Sequence, residues 1–150
     1  MNVMARGDAY TLTLDTAPTE ADIGVIRAGL TRHAAPFAPT PGFQTIAVFL
    51  RDDAGKIGGG AVGRVNWNWL DVYLVWVDER LRGTGWGRRM MEALETAGGA
   101  RGCRHAHLDT FSYQARPFYE KLGYRVFAQL DDYPEGHQRF YLRKRLAAPC

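Results

Sequence analysis

The segment Arg82-Gly83-Thr84-Gly85-Trp86-Gly87 constrains this chain more than any other. It stands between the apolar run Val72-Tyr73-Leu74-Val75-Trp76-Val77 and the helically spaced Met90-Met91-Glu92-Ala93-Leu94. That order reads as strand, tight glycine turn and helix, and it leaves several backbone N–H groups unpaired where the helix begins. The helix dipole adds partial positive charge at the same end, glycines let an anion approach the backbone, and Arg82, Arg88 and Arg89 add full charges. Such a turn attracts phosphate, so a chain holding a phosphorylated ligand is expected.

Spacing narrows the ligand. The phosphate loop of nucleotide hydrolases needs G-x-x-x-x-G-K-[ST], yet Arg88 stands where its second glycine belongs and no Lys-Ser or Lys-Thr pair occurs. A dinucleotide fingerprint, G-x-G-x-x-G, is weak for the same reason, because Gly87 comes one residue too soon. What remains is R-x-x-G-x-G, formed by Arg82, Gly85 and Gly87. With this motif the sequence resembles the GNAT N-acetyltransferase family, in which it cradles the pyrophosphate of acetyl-CoA. A second stretch, Ala115-Arg116-Pro117-Phe118-Tyr119-Glu120-Lys121-Leu122-Gly123-Tyr124, resembles the family's second cofactor segment, a short helix ending in L-G-[FY] with a tyrosine facing the thioester. The likeness spans about Phe43 to Leu146, and the first forty residues resemble the family only in pattern.

The resemblance implies a fold and a chemistry. The expected fold is α/β, a mixed and mostly antiparallel central sheet flanked by helices and splayed at the acetyl-CoA site. The expected activity is direct acetyl transfer from acetyl-CoA to a primary amine of a small molecule or peptide. No cysteine lies in either motif to act as a nucleophile. Gly83, Thr84, Trp86 and Arg88 fall within or beside the pyrophosphate motif, and Val75, Trp76 and Val77 would pair their backbone with the pantetheine arm as an added strand does. A family asparagine that contacts the cofactor is missing here, and Ser112 is its candidate substitute. The alternative from another class is a non-catalytic acyl-CoA-binding sensor, which would need Arg82, Gly85 and Gly87 but neither a base nor Tyr119.

The chemistry of acyl transfer assigns roles. A coenzyme A type of thiol has a pKa of about 8.5 and a phenol of about 10, so a tyrosine held close to the departing sulfur can protonate it. Tyr119 is that candidate acid; the plain alternative is a half-buried core tyrosine. An alkylamine near 10.4 is almost fully protonated at neutral pH, so its proton needs an acceptor, directly or through water. Asp71 is the first candidate, at the place where protein-lysine acetyltransferases of the family carry a glutamate; a solvent-facing Asp71 is the alternative. Asp109 and Glu79 are lesser candidates. His105 and His107 share a strand face without further ligands and are read as structural, so no metal is expected.

Composition sets the outer bounds. The chain has 150 residues, 46% hydrophobic and 23% charged, which suits a single domain over 1–150. The N-terminus lacks the apolar core of a signal peptide and no apolar stretch spans a membrane, so a cytoplasmic protein is expected. The formal net charge is +3 and only Lys56, Lys121 and Lys144 are lysines. Arginine suits phosphate, and outside 80–89 the arginines are scattered with no basic stripe or finger motif, so no nucleic acid partner is expected. Cys103 and Cys150, in a helix-to-strand connection and at the last residue, form neither a disulfide framework nor a CxxC site.

A coarse pass places the elements. Tyr10 to Leu14 alternates as a first strand, and Thr19 caps a helix running to about His33, followed by a loop from Ala34 to Pro41. Phe43 to Leu50 and Ile57 to Val65 form a hairpin around 51–56, and Trp69 to Val77 is a strand of the sheet centre. The helix after the glycine turn reaches about Ala97, Arg104 to Thr110 is a strand, and Gln114 to Leu122 is a short helix. Arg125 to Leu130 and His137 to Arg145 are the last strands, the second of them long enough to pair two copies into a homodimer.

Overall fold

The computed structural model describes residues 2–7 and 9–148, which fall into two compact units, Met1–Thr40 and Pro41–Cys150. In the first unit, strand β1 (Asn2–Arg6) pairs antiparallel with β2 (Thr11–Leu14). The β1 segment has no clean alternation of apolar and polar residues to mark it in the sequence; its partner strand supplies the hydrogen bonds that make it a strand. Helix α1 (Glu20–Ala34) starts where expected, because the Thr19 hydroxyl oxygen accepts from the Asp22 N–H at 3.1 Å. Cys150 lies outside the described residues.

The second unit is built on a six-stranded sheet in the order β3-β4-β5-β6-β8-β7. Its strands are β3 (Gln44–Arg51), β4 (Ile57–Asn66), β5 (Trp69–Val77), β6 (His105–Phe111), β7 (Arg125–Asp131) and β8 (Gln138–Arg145). Only β5 and β6 run parallel, joined by a crossover that carries helix α2 (Trp86–Gly99), so the sheet is mixed and mostly antiparallel. A short helix α3 (Arg116–Lys121) links β6 to β7, shorter than the expected 114–122 because Pro117 sits in its first turn. Strand β8 pairs with β6 on one side and β7 on the other, so neither of its edges is open to a second copy. The expected route to a dimer through β8 is therefore closed, and the outer strand at that end is β7.

One face of this sheet carries the core. Helix α2 buries Met90, Met91, Leu94 and Gly98 there, and β4 presents Ala61 and Val65 among alternating small residues. A side chain at Gly63 would meet Leu70 Cδ1 of the neighbouring strand at 2.8 Å and Leu94 Cδ2 of α2 at 3.3 Å, so the glycine leaves room for Leu70 and for the helix over the sheet. The helix runs through Gly98 and Gly99, past the expected stop, because Gly98 packs flat on Leu70. Cys103, buried in the following connection, has its thiol pushed up by burial.

Strand β5 contains the departure that shapes the site. Its register against β4 shifts where Val62 faces Leu74 and Gly63 faces Val72, leaving Tyr73 as an extra residue, a β-bulge. Leu70 and Val72 are buried before the bulge; after it the inward positions move to Val75 and Val77, which pack on the same core. Pairing of β5 with β6 covers only Trp69 to Val72 against His105 to Leu108. Beyond that point β5 follows β4 to Val77 while β6 follows β8 to Phe111, and the two central strands part.

Candidate active site

The parting of β5 and β6 opens a cleft of about 580 Å³. Val75, Trp76 and Val77 form one wall, where the strand edge facing away from β4 has no partner strand. Arg82, Gly83, Gly85, Gly87 and Arg88 close the end toward α2, and Ala115, Phe118, Tyr119, Lys121 and Leu122 come from the α3 segment. The two sequence motifs thus meet in one cavity.

The glycine turn has the geometry that the spacing implied. Gly83 and Gly85 adopt φ of 74° and 87°, and nothing lies within 4 Å of where their side chains would be. A residue with a side chain would be strained there and would also fill the approach to the backbone. Gly85 is the N-cap of α2 and no side chain caps the helix, so the N–H groups of its first turn are left for a ligand. Gly87 serves packing instead: a Cβ there would come within 3.1 Å of the Phe118 ring, which holds α2 against α3. Arg82 donates from Nε to the Val77 carbonyl at 3.0 Å, tying the turn to the end of β5. The Thr84 hydroxyl donates to the Leu81 carbonyl, and the Arg89 guanidinium lies over the Trp86 ring at 4.2 Å, so these two side chains shape the turn and do not line the cleft.

Tyr119 is 9% exposed, and its hydroxyl makes no hydrogen bond to another described residue. Burial, with the Asp109 charge second, pushes it up to about 12, so at neutral pH it is a neutral donor and no base. Its ring packs edge-on against Phe118 and Tyr124. Tyr124, also pushed up by burial, donates to Glu95 Oε1 at 2.8 Å, and Lys144 donates to the other Glu95 oxygen at 2.8 Å. This buried network fixes the floor under Tyr119.

Two sequence-derived residues lie elsewhere. Ser112 accepts from the Gln138 N–H at 3.1 Å and meets His137 Nδ1 at 3.2 Å, and it is not among the residues lining the cleft. Asp71 stands where β5 and β6 are still paired, opposite His107, and accepts from Arg64 at 2.8 Å with His107 Nδ1 at 3.8 Å. It borders a separate cavity with Phe43, Trp67 and Trp69. His105 stacks on the Trp69 ring and His107 meets it edge-on. Conversely, Leu81, Phe118, Lys121 and Leu122 line the cleft without having been singled out; Phe118, Lys121 and Leu122 belong to the second motif, whose helical period turns them to the side of Tyr119. Among the described residues no group of three or more His, Cys, Asp or Glu could hold a metal ion, and no helix is long and apolar enough to cross a membrane.

Comparison with known proteins meets this geometry. The model of the acetyltransferase (GNAT) domain matches residues 44–126, from β3 through the glycine turn and α3 into β7. The blasticidin-S acetyltransferase of Streptomyces morookaense is 38% identical over 104 residues, 69% of this chain and 76% of that protein. An acetyltransferase of Agrobacterium fabrum is 30% identical over 102 residues, 68% of this chain and 74% of that protein. The crystal structure of an acetyltransferase from Bacillus cereus superposes with a TM-score of 0.81 at 28% identity, covering 89% of this chain and 98% of that one. Parted central strands beside an uncapped, glycine-entered helix, in a sequence this similar to acetyltransferases, place the chain in the GNAT acetyltransferase family, and it is an acetyltransferase enzyme.

Proposed function

We propose that this protein transfers an acetyl group directly from acetyl-CoA to a primary amine of a small molecule or peptide. The observation that carries the reading is the convergence, in one cleft, of the open β5 edge, the unspent N–H groups of α2 and the unpaired Tyr119 hydroxyl. The residues fit the donor: the open space before Gly83 and Gly85 admits a diphosphate to the backbone, and Arg82, Arg88 and Lys121 supply charge around it. The backbone of Val75 to Val77 offers strand-like hydrogen bonds to an extended arm and an N–H for the acetyl carbonyl.

Tyr119 donates a hydrogen bond to the leaving sulfur. A phenol near 12 is a weak acid beside a free thiol near 8.5, but the thiolate forms in the same desolvated cleft, where its own proton affinity rises too. Asp71, held by Arg64 behind the parting of the strands, has weaker support as the amine's proton acceptor than sequence alone suggested. For the acceptor, the likeness to a blasticidin-S acetyltransferase supports an amine-bearing antibiotic or another small amine.

The test measures coenzyme A release from acetyl-CoA with blasticidin S, a polyamine, an aminoglycoside and a peptide with a free N-terminal amine. Amine-dependent release, lowered at least about tenfold in kcat by Tyr119→Phe, is expected. A folded preparation that shows no calorimetric heat with coenzyme A and no release with any of the four refutes the reading.

A further inference from the structure

Resting on the acetyl-transfer reading of the cleft, one proton is still unplaced, that of the acceptor ammonium. Asp109 is the residue of β6 that follows Leu108, the last to pair with β5, so it stands where the strands begin to part. Ala106, Leu108 and Thr110 point into the core, while His107, Asp109 and Phe111 occupy the other face, opposite the side from which Tyr119 lines the cleft. The Asp109 side chain is 32% exposed, and it accepts through Oδ2 from Arg139 Nε at 2.8 Å. Its second oxygen, Oδ1, makes no hydrogen bond among the described residues, whereas both oxygens of Asp71 have a cation or histidine beside them.

Arg139, its side chain 24% exposed, is well fixed. Its guanidinium lies over the rings of Phe111, Tyr133 and Tyr141 at 5.4, 5.1 and 5.2 Å. Three aromatic neighbours and one carboxylate leave it little rotamer freedom. The Asp109 charge is the second cause, after burial, of the raised pKa of Tyr119, so its field reaches the cleft from the parting of the strands, although Asp109 is not itself among the residues lining the cleft. The charged and titratable groups facing Asp109 are therefore Arg139 and Tyr141 on β8, Tyr119 on α3, and His107 on its own strand.

We infer that Asp109 takes the proton of the acceptor amine, and that Arg139, boxed by three aromatic rings, is a positioning residue that holds the Asp109 carboxylate at the opening. The ammonium gives one proton to Asp109, and the freed lone pair forms the C–N bond as the C–S bond breaks toward sulfur. The sulfur receives a proton from Tyr119, which regains one shed by the newly acylated nitrogen, and Asp109 returns its proton to solvent. No oxidant, reductant or further reactant is needed.

The experiment uses the full chain and whichever of the four amines the wild type acetylates fastest. Asp109→Asn is expected to lower kcat/KM about 100-fold, with acetyl-CoA affinity by calorimetry unchanged and the loss shrinking as pH rises and the free amine becomes abundant. Arg139→Gln is expected to move the acidic limb of the kcat profile to higher pH, since a carboxylate without its cation is harder to ionise, and Arg139→Lys to move it back partway. Loss of activity in Asp71→Asn in place of Asp109→Asn, or an Asp109→Asn enzyme within about threefold of wild type, overturns the assignment. Should Asp109→Asn not fold, an unshifted profile in folded Arg139→Gln overturns it instead. A wild-type protein that binds coenzyme A but acetylates none of the amines refutes the transfer reading itself, a result distinct from all of these.

Discussion

Replacing Tyr119 by phenylalanine removes a hydroxyl that makes no hydrogen bond to another described residue, so at neutral pH the fold is expected to hold its stability or gain up to about 1 kcal/mol. The difference emerges in alkali. Burial first, and the Asp109 charge second, push this phenol from 10.0 to about 12. Two units at about 1.36 kcal/mol each amount to about 2.7 kcal/mol of proton-linked stability. Because the folded-state value is raised, the folded protein keeps a proton that the unfolded chain releases. The contribution is complete below about pH 10 and is lost as pH rises through about 12. Tyr119→Phe lacks this loss, so its stability relative to wild type should climb by an amount approaching 2.7 kcal/mol across that window. Tyr124, raised by burial and by Glu95, responds in the same direction in both proteins; the smaller part of its shift that comes from Tyr119 is absent in Tyr119→Phe and acts in the same sense as the main difference. Urea unfolding followed by circular dichroism at pH 8, 10, 11 and 12 measures it. A difference between the two proteins that stays constant within about 0.5 kcal/mol would show that the hydroxyl is not desolvated as the packing requires.

Two further substitutions probe the frame of the cleft. Gly87→Ala places a methyl 3.1 Å from the Phe118 ring and is expected to cost about 1–3 kcal/mol by urea unfolding and to weaken coenzyme A binding in calorimetry; unchanged values in both would mean that α2 and α3 are not packed through this contact. Glu95→Ala strands the Tyr124 hydroxyl and the Lys144 ammonium, whose partner carboxylate is only 11% exposed, and is expected to cost about 3 kcal/mol, against which a loss below about 1 kcal/mol would count.

What was legible in the chain was local chemistry. Positive φ at Gly83 and Gly85 is a property of single residues, and the strand, turn and helix around them follow from periods of two and of 3.6 read over a dozen positions. The second motif likewise carries its own helix start and stop, in Pro117 and Gly123. These signals brought forward Arg82, Gly85, Gly87 and Tyr119, which line one cleft. They failed for β1, whose strand state depends on its partner, and for Ser112, whose hydroxyl is taken by Gln138 and His137 from a strand distant in sequence.

Pairing between strands was decided only in three dimensions. Whether an acid on β5 or on β6 stands at the opening depends on where the two stop sharing hydrogen bonds, and that point is set by a bulge at Tyr73 with no local sequence mark. The same holds for β8, whose alternation suits an edge or an interior strand equally until β6 and β7 claim both its sides. Residue type and spacing determine backbone conformation, because sterics act over a few bonds. Which carboxylate meets which cation is determined by register, because it takes two segments to define one and the chain writes each of them separately.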